Sequence, residues 1–496
     1  MFVVTLPASA AKNPQDFALK AKREGADILE IRSDLTPSVK PFRTALPLLV
    51  AVRGSKDGLV DLLTPAFVDV EESSDAVWLP KGSKLILSFH DHDATPSLAS
   101  LKSTVNRMRK EKPWAIKIAT FVRTYDDLLI LQKLQDWLTK AGQRSIVLGM
   151  GPKAHLSRIM SPLTNVFTYA TLDPRDAAAP GQLPMSLYRL MKGRKKPKLF
   201  GILGGPHITA SLSPVIHNAL FQRHKIDALY SCFPSENFGV LKTLHALGIK
   251  GLSVTAPFKR DAYDAATKLE AAAEKLGVAN TLVRAPTPNP SPERGGEHGV
   301  SVKQTFLPPS GEGPRMGVWH AFITDSYGIS EGYPALSGAK NVAILGAGGA
   351  VPSAILAVRS RSPKAAITVF ARDPKKAKKM LSAVETQNFA SLRIRNLGDA
   401  LNFKADTVIC AVSEDIPLPV PSPVSKTSVA IDLRYGKETA FMKAAKLKNF
   451  RVHDGTNMLI HQALKQFRHF TGKTPYDDDE IFLRPILTSF LSSHGQ

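Results

Sequence analysis

Short apolar, β-branched runs recur along the first part of the chain, separated by longer stretches of mixed polarity. The runs are Phe2–Leu6, Asp27–Ser33, Leu48–Arg53, Phe67–Glu71, Lys84–His90, Trp114–Thr120, Ser145–Met150 and Val166–Leu172. Stretches compatible with helices lie between several of them, at 12–24, 99–111 and 125–141. Strands that alternate with helices in this way predict a compact (β/α)8 barrel of the TIM type over residues 1–191, closed by a helix at about Met185–Met191. The gaps after the third and fourth runs are too short for full helices.

Beyond a basic linker, Lys192–Lys198, the chain restarts as strand, loop, helix and strand. Residues 199–329 read as a second α/β domain. Asn341-Val-Ala-Ile-Leu-Gly346 opens a parallel-sheet unit, with further strands at Ala366–Phe370, Thr407–Cys410 and Ser428–Leu433. This predicts a Rossmann-type domain over 330–456. Residues 457–496 read as helices that return to the second domain, with a break at Pro485. Residues 285–315 fit neither pattern: they hold 7 prolines and 5 glycines in 31 positions. That composition points to a low-complexity surface insertion without a role of its own.

The 496-residue length suits three domains at about 100–200 residues each. The balance of 65 basic and 43 acidic residues, +22 net, favours anionic partners. No aromatic residue interleaves the basic linker and no nucleic-acid motif stands beside it, so it reads as a solvated hinge and small acidic metabolites become the expected partners. Cys232 and Cys410 are too few for a disulfide framework or a four-thiolate zinc site. A reducing, cytoplasmic setting follows, with no metal. No apolar run approaches the roughly 18 residues needed to span a membrane. The strand-like Phe2–Leu6 predicts no signal peptide.

Barrel enzymes carry their chemistry at the carboxyl ends of the strands. The period of two puts Glu30, Arg32 and Asp34 on one face of their strand, suited to a polar mouth. Lys117 stands alone in the apolar run Ala115-Ile-Lys-Ile-Ala119, where desolvation favours an amine nucleophile. His90 ends another strand and suits general acid–base work. These residues resemble the type I 3-dehydroquinate dehydratases. The resemblance rests on Glu30-x-Arg32, Val52-Arg53-Gly with Asp57, Ser88-Phe-His90-Asp with Thr95-Pro96, Lys117-Ile-Ala, Ser157-Arg158 and Ala179-Pro-Gly-Gln182. It implies that Lys117 forms an imine with the substrate ketone and that His90 moves the protons. Asp57 would be the carboxylate partner of His90. Arg158 and Gln182 would hold the substrate carboxylate and hydroxyls, with Arg53, Glu30 and Arg32 completing the pocket. The chain departs from the family at Asp57, usually glutamate, and at Ala178, usually serine.

In the second half, Ser211-Leu-Ser213 opens a helix, and two hydroxyls there suit either a carboxylate or simple capping. Lys259 and Asp325 stand in loop contexts. Gly346-Ala-Gly348-Gly349-Ala350 follows a strand and precedes a helix, the setting of a dinucleotide site, although Val351 replaces the third glycine of the usual fingerprint. Arg372 and Lys376, after the next strand, suit a 2′-phosphate, while Asp373 beside them keeps NAD open. With Ala279-Asn280-Thr281, Ile323-Thr-Asp325, Asp432-Leu-Arg-Tyr435 and Asp454-Gly455-Thr-Asn-Met458-Leu-Ile-His-Gln462, these residues resemble the shikimate dehydrogenases. That resemblance implies a catalytic Lys259–Asp325 pair. Ser211, Ser213, Thr255, Asn280, Tyr435 and Gln462 would hold shikimate. Gly346, Gly348, Gly349, Ala350, Arg372, Lys376, Gly455 and Met458 would hold NADP. Ser253 and Ile323 replace the usual asparagines.

The two resemblances in this order imply an enzyme that dehydrates 3-dehydroquinate to 3-dehydroshikimate and reduces that product to shikimate with NADPH. The alternatives are a catabolic quinate/shikimate dehydrogenase fusion using NAD, and a quinate-pathway regulator that binds without turnover. Neither nucleic acid nor membrane is expected as a partner.

Overall fold

The structure is a computed structural model and describes residues 1–53, 58–73, 79–284, 319–385 and 392–494. Asp57 and the expected insertion at 285–315 lie outside the described residues. By its internal contacts the chain divides into two units. One comprises Met1–Gly201 with Pro206–Ile249, the other Ile202–Gly205 with Lys250–Gln496.

Eight parallel strands dominate the first unit: β1 (Phe2–Thr5), β2 (Ile28–Arg32), β3 (Leu48–Val52), β4 (Phe67–Glu71), β5 (Lys84–Asp91), β6 (Ala115–Phe121), β7 (Ser145–Met150) and β8 (Thr168–Thr171). They follow one another in sheet order from β7 back to β1, and β8 pairs with β1. The sheet curls so that β8 also meets β7. The Val166 N–H donates to the Ser145 carbonyl (3.0 Å), and the Asn165 side chain bonds both backbone groups of Val147 (3.2 and 3.1 Å). This is the predicted TIM barrel. Among the described residues the short gap after β3 holds the single-turn helix Leu59–Leu63.

The barrel core shows why one mouth is apolar and the other polar. Phe67, Trp114 and Phe167 stand at or just before strand starts and pack together, Phe67 and Phe167 edge to face at 5.0 Å. They plug the amino ends of the strands. Ladder register then places Glu71 beside Ser88, and Ser88 beside Lys117, toward the carboxyl ends. In the same unit helix Ser213–Arg223 packs on strand Ala228–Pro234. Buried Asn218 fixes that packing by bonding the N–H and carbonyl of Tyr230 (both 3.0 Å).

The second unit contains, in order, the strand Ile249–Val254 from Lys250 onward, then Thr281–Arg284, Trp319–Phe322 and Lys268–Leu269, with Thr281–Arg284 antiparallel to its neighbours on both sides. It also contains a parallel sheet ordered Leu392–Asn396, Ala366–Ala371, Asn341–Leu345, Thr407–Cys410, Val429–Asp432 and Arg451–His453. Counted along the chain that order is 3-2-1-4-5-6, the doubly wound Rossmann arrangement. The expected break at Pro485 is absent: helix Asp479–His494 runs through it. The proline forfeits one bond to the carbonyl of Ile481, on a turn where Ile481 is 72% exposed. The helical segment is interrupted earlier, where Gly472 (φ +72°) ends helix Thr456–Thr471. Among the described residues no helix is long and apolar enough to cross a membrane.

Helix Asp325–Gly332 crosses helix Thr456–Thr471 at unusually short range. A Cβ on Gly328 would stand 2.6 Å from the Met458 carbonyl oxygen, and one on Gly332 would stand 2.9 Å from the Asn457 carbonyl carbon. Gly328→Ala should therefore push the helices apart and lower unfolding stability by about 1–3 kcal/mol, measurable by denaturant titration.

Candidate active sites

The polar mouth of the barrel opens on a cavity of about 580 Å³, lined among others by Glu30, Arg32, Arg53, His90, Lys117, Arg158 and Gln182. Those seven are residues singled out from the sequence, brought together from six strands and the segments that follow them. Lys117 is only 6% exposed and makes an ion pair with Asp69 (Nζ–Oδ2 2.8 Å), its ammonium 4.6 Å from the centre of the Tyr169 ring. Asp69 is wholly buried. Its Oδ1 also accepts from Arg53 Nη2 (3.0 Å) and from the Ser88 hydroxyl. Although burial opposes it, the charges of Arg53 and Lys117 hold the Asp69 carboxyl well below the ordinary carboxylate range.

The carboxylate that the structure sets against His90 is Glu71. It accepts from His90 Nδ1 at 2.7 Å and from the His90 backbone N–H at 2.8 Å. The expectation that Asp57 serves here falls outside the described residues. Burial pushes the imidazole below its ordinary pKa, Lys117 and Arg53 add to the effect, and Glu71 opposes it. Sequence reading passed over Asp69 and Glu71, yet Phe67-Val-Asp69-Val-Glu71 shows the same period-two pair of charges as Glu30-x-Arg32.

Other predicted residues serve the walls. Arg32 pairs with Asp34 (2.7 Å) and donates to the Ala178 carbonyl (3.0 Å). Glu30 accepts from the Thr5 hydroxyl at 2.5 Å. Gln182 ties its own loop, accepting from Ala178 N–H (2.8 Å) and donating to the Ala170 carbonyl (3.0 Å). Arg158 is 3% exposed, its Nε has no hydrogen-bond partner, and burial lowers its pKa. A buried guanidinium so poorly satisfied suits an incoming anion.

In the second unit Lys259 Nζ bonds Asp325 Oδ2. Asn280 Nδ2 donates to Asp325 Oδ1 (2.5 Å), while Asn280 Oδ1 accepts from Thr324 N–H (2.7 Å), so the carboxylate is held from behind. Of the two departures, Ser253 bonds Gln466 (2.8 Å), which reaches on to Thr281 (3.1 Å), and Ile323 is buried. Thr255 N–H donates to the Leu203 carbonyl (3.0 Å). Gln462 packs beneath Gly328, and Tyr435 is half-buried. Ser211 and Ser213 belong to the first unit, where the Ser211 hydroxyl bonds Ser213 Oγ (3.1 Å) at the start of their helix.

A cleft of about 410 Å³ takes in Gly346, Gly348, Arg372, Asp373 and Lys376 on one side and Ala411 to Glu414 on the other. It lies past the carboxyl ends of Asn341–Leu345 and Thr407–Cys410, where the strand order reverses. Gly346 has φ +112°, and a Cβ there would meet the Ala411 carbonyl at 3.1 Å. Gly349 and Ala350 form the turn into helix Val351–Arg361, and buried Val351 fills the place of the missing third glycine. Gly455 and Met458 are not among the residues that line this cleft. Gly455 packs against the Leu433 carbonyl, and Met458 against Gly328.

Residues 2–191 match the type I 3-dehydroquinase family, residues 203–282 the shikimate dehydrogenase substrate binding domain, and residues 455–476 the shikimate 5′-dehydrogenase C-terminal domain. The chain is 28% identical over 301 residues to the chloroplastic bifunctional 3-dehydroquinate dehydratase/shikimate dehydrogenase of Arabidopsis thaliana. That match covers 53% of this chain and 49% of the relative, so the chain spans about half the relative's length. Two solved structures are also similar. The dehydroquinate dehydratase and shikimate dehydrogenase of S. pombe is 20% identical with a TM-score of 0.43, over 98% of each chain. Shikimate 5-dehydrogenase from Thermus thermophilus, in complex with NADP(H) and shikimate, is 23% identical with a TM-score of 0.45, over 58% of this chain and 99% of that one.

Asp69→Asn should destabilise the barrel by about 3–5 kcal/mol at neutral pH, because Lys117 and Arg53 lose their buried counter-charge. A carboxyl lowered on folding stabilises above its unfolded pKa, about 3.9, and that contribution fades as pH falls toward the folded value. The gap between wild type and variant should therefore narrow below about pH 4 in denaturant titrations.

Proposed function

We propose that this chain, which joins a type I 3-dehydroquinase domain to shikimate dehydrogenase domains, catalyses two consecutive steps: dehydration of 3-dehydroquinate and reduction of the resulting 3-dehydroshikimate to shikimate. The observation that carries the reading is Lys117, buried in one cavity with His90 and the poorly satisfied guanidinium of Arg158. Residues 1–191 perform the first step. Residues 199–329 bind the second substrate, 330–456 bind the nucleotide, and 457–496 complete the substrate domain beyond the linker 192–198. Buried Cys232 and Cys410, not joined in a disulfide, accord with a reducing compartment such as the cytoplasm.

In the barrel, Arg158 binds the substrate carboxylate, with Arg53, Glu30, Arg32 and Gln182 around the ring. Lys117 Nζ leaves its salt bridge with Asp69, passes a proton to His90 Nε2 and attacks the ketone carbon as the neutral amine. His90 returns that proton to the carbinolamine hydroxyl, which departs as water as the protonated imine forms. The imine draws electrons from the neighbouring carbon, whose proton passes to His90 Nε2. The β-hydroxyl then leaves as water with the proton that His90 returns, and a second water hydrolyses the imine to free 3-dehydroshikimate and Lys117. The net change is loss of one water.

In the second unit Lys259, held by Asp325, moves the proton at the substrate's C3 oxygen. Thr255, Asn280, Tyr435 and Gln462 orient the ring. The cleft fits a nicotinamide dinucleotide, with Gly346 and Gly348 allowing close approach of the pyrophosphate, and such a cofactor supplies the hydride when bound. Arg372 and Lys376 would hold a 2′-phosphate. The Asp373 carboxylate already accepts the Lys376 N–H (3.0 Å) as a helix cap and is poorly placed to receive a ribose hydroxyl, which favours NADP.

The purified protein should oxidise NADPH when given 3-dehydroquinate alone, followed at the NADPH absorbance. Lys117→Ala should abolish that signal while leaving NADPH oxidation with 3-dehydroshikimate intact. Lys259→Ala should slow the redox step by about 10²-fold or more and leave dehydration unchanged. No oxidation with either substrate would overturn the reading. Arg372→Ala should raise the KM for NADPH about tenfold and leave that for NADH unchanged, consistent with loss of one charged contact of about 1.5 kcal/mol.

A further inference from the structure

We infer that Glu71 is the positioning residue that fixes His90 as a base with a free Nε2. This rests on the dehydratase reading above, and it assigns to β4 a role for which the family resemblance names Asp57. Glu71 ends β4 beside β5 and grips His90 at two points, the backbone N–H (2.8 Å) and ring Nδ1 (2.7 Å). One carboxylate oxygen serves each, so the carboxylate cannot turn without losing the backbone bond. An ionised carboxylate only accepts hydrogen bonds. Nδ1 must then carry the proton, and the lone pair stands on Nε2.

Among the described residues no other charge around the ring supplies this constraint. Lys117 from β6 and Arg53 from the end of β3 both disfavour the imidazolium, and the His92 ring stacks on His90 with centroids 5.9 Å apart. Among the described residues Glu71 is the carboxylate bonded to the ring. Although burial opposes it, the hydrogen bond from His90 holds Glu71 below the ordinary glutamate range, so it is ionised wherever His90 works as a base.

Glutamine is the informative substitution. Its side chain has one acceptor and one donor and cannot accept at both points. If the amide nitrogen faces Nδ1, the ring must accept there and Nε2 takes the proton. Glu71→Gln should therefore lower the kcat of dehydration about 10²- to 10⁴-fold with a small change in KM, the scale seen when a histidine base is held in the wrong tautomer. Trapping of the Lys117 imine by borohydride should persist. Glu71→Ala should shift the acidic limb of kcat/KM to lower pH, because loss of the anion removes what favours the imidazolium. Nitrogen-15 NMR of the imidazole should show protonated Nδ1 and unprotonated Nε2 in the wild type above its pKa, and the reverse or a mixture in Glu71→Gln. Wild-type kcat in Glu71→Gln, or an unchanged tautomer in a folded variant, overturns the assignment. The NMR arm decides the tautomer even if the wild type fails to dehydrate 3-dehydroquinate, so failure of the functional reading and failure of this inference are told apart.

Discussion

Inside the barrel a single fully buried carboxylate, Asp69, holds two cations and a hydroxyl: Arg53, Lys117 and Ser88. A lone charge in that place would cost several kcal/mol, and so would each cation without it. The carboxylate therefore has to be where it is before Lys117 can be buried at all. Because β3, β4, β5 and β6 lie side by side, one residue on β4 reaches the end of β3 and both of the next two strands. The direction of Lys117, the seat of Arg53 and the shape of the cavity floor all follow from this arrangement.

The same economy appears two residues on. Glu71 sits on the same face of β4 and reaches the next strand, where it takes His90. A strand that looks like a simple core element thus carries the anchors of both the amine and the imidazole. The second unit solves a similar problem with neutral groups. Asp325 starts a helix, and its outer oxygen is held by Asn280, which is itself fixed by the Thr324 backbone. The close crossing allowed by Gly328 and Gly332 packs that helix against Thr456–Thr471. Lys259 then meets a carboxylate that has little freedom to turn.

The nucleotide cleft depends on backbone more than on side chains. Gly346 in the left-handed region lets the chain turn sharply after its strand, and the neighbouring strand end at Ala411 supplies the opposite wall. The missing third glycine matters little to the fold. Val351 points into the helix–sheet core, where its side chain is fully buried, and not into the cleft.

The eight barrel strands are legible along the chain to within a residue or two, because strands buried on both faces read as continuous β-branched runs. Lys117 stands out as a lone charge in an apolar run, whereas His90, Lys259 and Asp325 become candidates only in the company of the motifs around them. Only the tertiary structure decided what surrounds them. Asp69 and Glu71 read as ordinary alternating polar residues until adjacent strands bring Lys117 and His90 to them. Pro485 read as a break, yet an exposed turn accommodates it within a helix. Periodicity reports which face of an element is buried. The identity of the partner across that face depends on contacts between residues distant in the chain, and those exist only once the sheet has curled.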